Sequence, residues 1–226
     1  MAQSGLARQI GSAVADAHAA RLEAAGSATH AHAADLVGPL APYRARDFDD
    51  FVHLLCAVYG RQPTVIELAL STAPPPPVRA WLERAAAAFE RERLFLVRLS
   101  AAAGPIPSTP GAAETESALV AQRNALETLA RSERTGCALG AATALVGDWA
   151  ALRPMLDKVA GRLGVDVPPS SLPDAAAISA VLDAAATGIA AERAIRFGAE
   201  QLLLQQRALL DLLEVRSEAR EVDRPL

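Results

Sequence analysis

Three carboxylates stand on the apolar stripes of the three longest helical patterns in this chain: Glu92, Glu133 and Glu192. All have arginine neighbours, namely Arg91 and Arg93, Arg134, and Arg193 with Arg196. A carboxylate on a core-facing stripe is costly unless it is paired or ligated. Two chemistries follow. The three groups could converge inside a bundle and hold metal, as in carboxylate-bridged proteins. Alternatively they form ion networks with Arg134 and Arg193, or short i,i+4 pairs such as Glu192–Arg196. A di-iron bundle normally carries Glu-x-x-His on two helices, because that spacing puts both ligands on one face. No Glu-x-x-His occurs here, which counts against the usual ferritin-like site.

The four histidines give weaker signals. His30-x-His32 with Asp35 offers donors suited to zinc, iron or nickel, but positions i and i+2 of a helix face different ways. Their Ala-rich surroundings read as a mobile surface segment. His18 falls between Val14 and Leu22 on an apolar stripe, as a satisfied core histidine would. His53 lies one turn from Asp49 and Asp50, a pairing that serves general-base or metal chemistry. The plainer account is a solvated helix face whose aspartates complement the helix N-terminus. Gly136-x-x-x-Gly140 lets a neighbouring backbone approach closely and is read as a helix-packing motif. No phosphate-binding glycine loop, nucleophile elbow or Cys-x-x-Cys is present, so no catalytic residue is named. No cofactor follows from these residues; Glu92, Glu133, Glu192 and His53 are the only metal-ligand candidates beyond the His30 group.

These groups must be positioned by helices. Residues 5–37 read as one or two, with Leu6, Ile10, Val14, Leu22 and Leu36 on the apolar side, before Gly38-Pro39 and Pro42 break the pattern. Asp47 is placed as N-cap of a helix through Val58, and Thr64-Val65-Ile66-Glu67 matches a capping box. A long helix spans 78–103. A second, carrying Glu133 and Gly136, spans Pro110 to about Trp149, where Gly147 or Pro154 should kink or end it. Ser171-Leu172-Pro173-Asp174 reads as a further capping box that opens a last helix to about Val215. The tail beyond Arg216 is expected to be frayed. The expected fold is all-α: a single antiparallel helical bundle, residues 1–226, with three long helices and several short ones.

Composition agrees. Of 226 residues, 51% are hydrophobic, mostly Ala and Leu, and only 4% are aromatic, which disfavours sheets. A net charge of −4 with both signs interspersed argues against nucleic acid as a partner. The longest uncharged helical run, residues 135–147, falls short of the roughly 20 residues that span a bilayer, so membrane insertion is not expected. Met1–Ala20 lacks a secretory pattern, and Cys56 and Cys137 suit free thiols in a reducing cytoplasm.

The block Pro107-Ser108-Thr109-Pro110-Gly111, with Glu114, Gln122-Arg123, Ala125-Leu126 and Gly136-Cys137-Ala138 through Asp148-Trp149, resembles an uncharacterised bacterial family of all-helical proteins. The likeness is strongest over residues 81–149 and implies no activity. Helix lengths are also similar to those of ferritin-like and haem-oxygenase-like bundles, an analogy of architecture alone. The expectation is therefore a cytoplasmic, non-enzymatic or ligand-binding bundle. A homodimer through the last helix is expected from the Leu202–Leu213 run, which is apolar over more than one face. The alternative is a metal- or tetrapyrrole-dependent oxidoreductase using Glu92, Glu133 and Glu192, with His53.

Overall fold

Among the residues described by the computed structural model, 2–38, 45–72 and 74–222 with side chains from residue 13 onward, every regular element is helical. Nine α-helices follow in order: α1 (Ala2–Ala25), α2 (Ala31–Val37), α3 (Ala45–Tyr59), α4 (Val65–Ser71), α5 (Pro76–Ala103), α6 (Ala112–Ala130), α7 (Cys137–Leu163), α8 (Ala175–Ala185) and α9 (Ile189–Val222). A short 3-10 turn, Ser27–Thr29, joins α1 to α2. The side chains of Leu6 and Ile10, and the break at Pro39 and Pro42, lie outside the described residues.

Local signals set several boundaries. The Thr64 hydroxyl accepts from Ile66 N and the Glu67 carboxylate accepts from Thr64 N at 2.6 Å, which satisfies the open amides of α4. Pro76 and Pro77 start α5, where the missing N–H costs nothing. Cys56 and Cys137 are both free.

The structure differs from the sequence expectation at four junctions. The stretch from Pro110 to Trp149 is two helices, not one. The chain turns between α6 and α7 over residues 131–136, with Gly136 at φ +99° as the N-cap of α7, a conformation that excludes most side chains. Apolar periodicity continues across this turn, so it hid the break. Pro154 does not end α7. Pro154 lies inside the helix on an exposed position, as does Ala150, whose carbonyl loses its usual i+4 donor there. The last helix is likewise two: α8 ends at Ala185, α9 begins at Ile189, and Asp174, not Ser171, caps α8 by accepting from Ala177 N at 2.8 Å. Finally, α9 runs on to Val222, and beyond Arg216, where fraying was expected, Ser217 is buried and Arg220 is held in ion pairs with Asp47 and Asp50. Four helices are thus long, α1, α5, α7 and α9, at 24, 28, 27 and 34 residues.

The core is organised around α7. Every residue from Cys137 to Val146 is buried, so this helix is apolar around its whole circumference, as a fully enclosed helix must be. Helix α7 packs against each of the other eight helices. Its closest partner is α9. A Cβ built on Gly140 would stand 2.0 Å from the Ile195 carbonyl oxygen, and one on Gly198 would stand 2.0 Å from the Cys137 oxygen. The two backbones therefore touch through a reciprocal pair of glycines. Trp149, Phe89 and Tyr59 form an edge-to-face cluster beside this seam, with centroids 4.8–6.3 Å apart.

Candidate functional site

The three carboxylates do not share a site. Glu92, on α5, is 2% exposed and accepts from Trp149 Nε1 at 3.1 Å and from Arg153 at 2.8 and 2.9 Å. Glu133 is exposed on the turn between α6 and α7. Glu192 is half-buried in the first turn of α9. Arg134 and Arg193 are exposed too, and Arg134 lies over the Phe197 ring at 5.4 Å. Arg196 approaches Glu200 at 4.0 Å. An oxidoreductase centre built on Glu92, Glu133 and Glu192 therefore has no geometric basis. The broken helix is the cause, since it carries Glu133 off the stripe that the sequence assigned to it.

The histidines are also placed differently from expectation. His30 and His32 are each 4% exposed, so the Ala-rich segment is packed, not a loose surface strand. His53 Nδ1 pairs with Ser100 Oγ at 3.1 Å and not with its neighbouring aspartates. Those aspartates are not a solvated face. Asp50 is fully buried and meets Arg216 at 2.9 and 3.0 Å, with Arg220 closing on the same carboxylate. Asp47, inside α3 and not its N-cap, also pairs with Arg220, and Asp49 pairs with Arg162. Thr109 and Thr115 accept from the two arginines, which fastens the end of α9 to α3 and to the α5–α6 connection.

A second polar cluster lies inside the bundle. Asp148 is 3% exposed and accepts from Ser27 N at 2.6 Å and Ser27 Oγ at 2.5 Å. Burial pushes its carboxyl up from the usual carboxylate range, while Ser27 and Gln206 oppose this. The Tyr59 hydroxyl donates to Gln206 Oε1 at 2.8 Å, and burial, with the nearby Asp148 charge, drives that phenol upward. These groups are closed off and stitch the segment before α2 to α7 and α9.

A sizeable concavity opens elsewhere, between α1, α7, α8 and residues 170–174. It is a half-open groove of about 540 Å³, lined by Leu22, Val146, Trp149, Leu172 and Ile178 with His18 and Arg153. The volume falls within the range of small-molecule sites, roughly 300–1,000 Å³. Its polar wall is rigid. Arg153 is held by Glu92, by Asp157 at 2.6 Å, by the Pro168 carbonyl and by the Phe95 ring face at 4.9 Å. His18, 6% exposed, is pulled down to about 4 by burial; a hydrogen bond to the Thr143 main chain opposes this and the Arg21 charge adds to it. The groove is thus bordered by a neutral imidazole whose Nε2 has no partner. Another cavity of about 500 Å³ lies at the α6–α7 turn, where Glu133, Arg134 and Gly136 line it with Pro74, Val78 and Leu82.

The sequence profile of a family of unknown function (DUF6975) matches residues 22–221. The chain belongs to that family. No curated protein and no solved structure matches it. The DUF6975 match runs from Leu22 at the groove wall through both arginines of the Asp50 network, so it takes in nearly all of the polar interior just described. No described helix is long and apolar enough to cross a membrane.

Arg153, Asp148, Ser27 and Gln206 were not among the candidate site residues expected from the sequence. One signal was available. Asp148 is the single charge within a buried apolar run, and a lone carboxylate there requires donors from elsewhere.

Proposed function

We propose that this chain is a non-enzymatic binding protein whose groove between α1, α7 and α8 takes a small, mostly apolar molecule. The observation that carries this reading is the groove itself, about 540 Å³ of largely apolar wall beside a neutral, 6%-exposed His18 and a fixed Arg153. A large apolar cavity that also holds a titratable group of shifted pKa is the default place to look for a ligand. Each guanidinium nitrogen of Arg153 already has an acceptor and its charge is balanced by Glu92 and Asp157, so the group shapes the wall and does not call for an anionic ligand. Free thiols and the Ala- and Arg-rich composition support a bacterial, cytoplasmic setting.

The test uses Ala150→Trp. Ala150 lines the groove yet is exposed, so an indole there fills the space without disturbing the core. Thermal-shift titrations with indole and 2-naphthol should stabilise the wild type and leave the variant unmoved. Equal shifts in both proteins, or none in either, would remove the groove reading.

A homodimer is supported by a different feature from the leucine run. Leu202, Leu203, Leu209, Leu210 and Leu213 are all buried within the chain's own fold and need no second copy. On the outer side of α9, Phe197, Leu204 and Val215 are 39%, 56% and 58% exposed, and their spacing of 7 and 11 residues puts them on one face. Light scattering with size exclusion decides the matter: a strict monomer at high concentration ends the dimer reading.

A further inference from the structure

Where the segment before α2 meets the second half of α9, His30, Asp211 and Glu214 bring one imidazole nitrogen and two carboxylate oxygens within 4.8 Å of one another. They form the one such set of three or more His, Cys, Asp or Glu groups among the described residues. His30 is the N-cap residue of α2 and its side chain is 5% exposed, whereas Asp211 is 58% exposed and Glu214 half-buried. The ring is therefore fixed by packing, and the two acids stand on one face of a rigid helix at i and i+3. His30 Nε2 lies 2.9 Å from Asp211 Oδ1.

A hydrogen-bonded His–Asp pair accounts for two of these groups but not for the third. Two carboxylates brought to the same imidazole repel each other. Among the described residues neither forms an ion pair with an arginine or lysine that would relieve this. We infer that His30, Asp211 and Glu214 form a binding site for a first-row divalent cation of the zinc type, open to solvent on its outer side. Mixed imidazole and carboxylate donors suit that class of ion, and three protein ligands leave a position for water. With bonds of about 2.1 Å, adjacent ligand atoms stand about 3.0–3.4 Å apart. The His30–Asp211 separation is close to that already, and Glu214 closes the rest by side-chain rotation.

Tautomer chemistry sets the strength. Without a cation Nε2–H donates to Asp211. To ligate, Nε2 must present its lone pair, so the ring proton moves to Nδ1. That nitrogen is buried with no acceptor. Metal-ligating histidines normally have such an acceptor, and losing it costs about 10–100-fold in affinity. The site is therefore a weak, exchangeable one and not a structural zinc site.

The experiment is calorimetric titration of Zn2+ into full-length, tag-free, chelator-treated protein, repeated with Co2+ while recording the visible spectrum. One equivalent should bind saturably. Asp211→Asn and Glu214→Gln, on accessible side chains that leave the core intact, should each weaken binding at least tenfold, and Asp183→Asn on exposed α8 should not. No saturable binding to the wild type would overturn the inference. So would wild-type affinity in either ligand variant, or an equal loss in Asp183→Asn.

Discussion

Placing a methyl group on Gly140 should force α7 and α9 apart. The added Cβ would lie 2.0 Å from the Ile195 oxygen, and a comfortable C···O approach is about 3.3–3.6 Å, so the helices must separate by roughly 1.3 Å. A backbone carbonyl inside a helix cannot turn away. A gap of that size forfeits well over a quarter of the dispersion contact along the seam, which includes Cys137, Ala141, Ile195 and Ala199. Overpacking of a tight core costs about 1–3 kcal/mol, and a rigid backbone obstacle belongs at or above the upper end. Replacing helical Gly by Ala returns about 1 kcal/mol of propensity. Gly140→Ala should therefore destabilise by about 2–3 kcal/mol, or roughly 4–12 °C in Tm for a chain of this size. Gly198→Ala, whose Cβ meets the Cys137 oxygen at the same 2.0 Å, should behave alike. The double variant is the sharper test. Once one methyl has opened the seam, the second fits into the gap, so the pair should cost at least 1 kcal/mol less than the sum. Chemical denaturation of all four proteins measures this. A Gly140→Ala protein at or above wild-type stability, or strict additivity, would refute the close-approach argument.

Arg216→Met should cost about 3–5 kcal/mol in the same assay, because it leaves the buried Asp50 carboxylate with Arg220 alone; adding Asp50→Asn should recover part of that loss. His18 gives a pH test. Its folded value of about 4 lies below the unfolded 6.5, so the unfolded chain takes up a proton first as pH falls. Stability from the neutral ring is present above 6.5 and lost down to about 4, a difference of about 3 kcal/mol. Wild-type stability should fall more steeply across that window than that of His18→Gln; parallel curves would contradict the assignment.

The helical class was legible because it rests on dense local signals: Ala and Leu propensity, the Thr64–Glu67 capping box, and the proline start of α5. Breaks inside apolar stripes were not. The turn from Arg131 to Gly136 separates α6 from α7, yet the residues on both sides keep a helical period because α6 and α7 bury faces in the same core. Small residues on α7 were visible, but Gly198 supplies the matching half from some 60 residues away, and no local pattern connects them. Burial of charge was the least legible property. Asp50 and Arg216 look like surface residues in sequence, since Arg216 stands between Val215 and Ser217 in a stretch where Glu214, Glu218 and Arg220 have every mark of a solvated face. Their partnership depends on how α9 returns to α3, which is set by tertiary packing alone. Glu92 shows the converse: its place on the stripe was correctly suspicious, but its partner is Arg153, more than 60 residues on, and not an adjacent arginine.

The binding groove is tested most directly by titrating 8-anilinonaphthalene-1-sulfonate into wild-type and Ala150→Trp protein under native conditions. The groove predicts one saturable class of bright, blue-shifted dye on the wild type, displaced by 2-naphthol and absent from the variant, with both proteins unfolding at the same temperature. Dye that fails to saturate, or that binds Ala150→Trp as it binds the wild type, would contradict a ligand site between α1, α7 and α8.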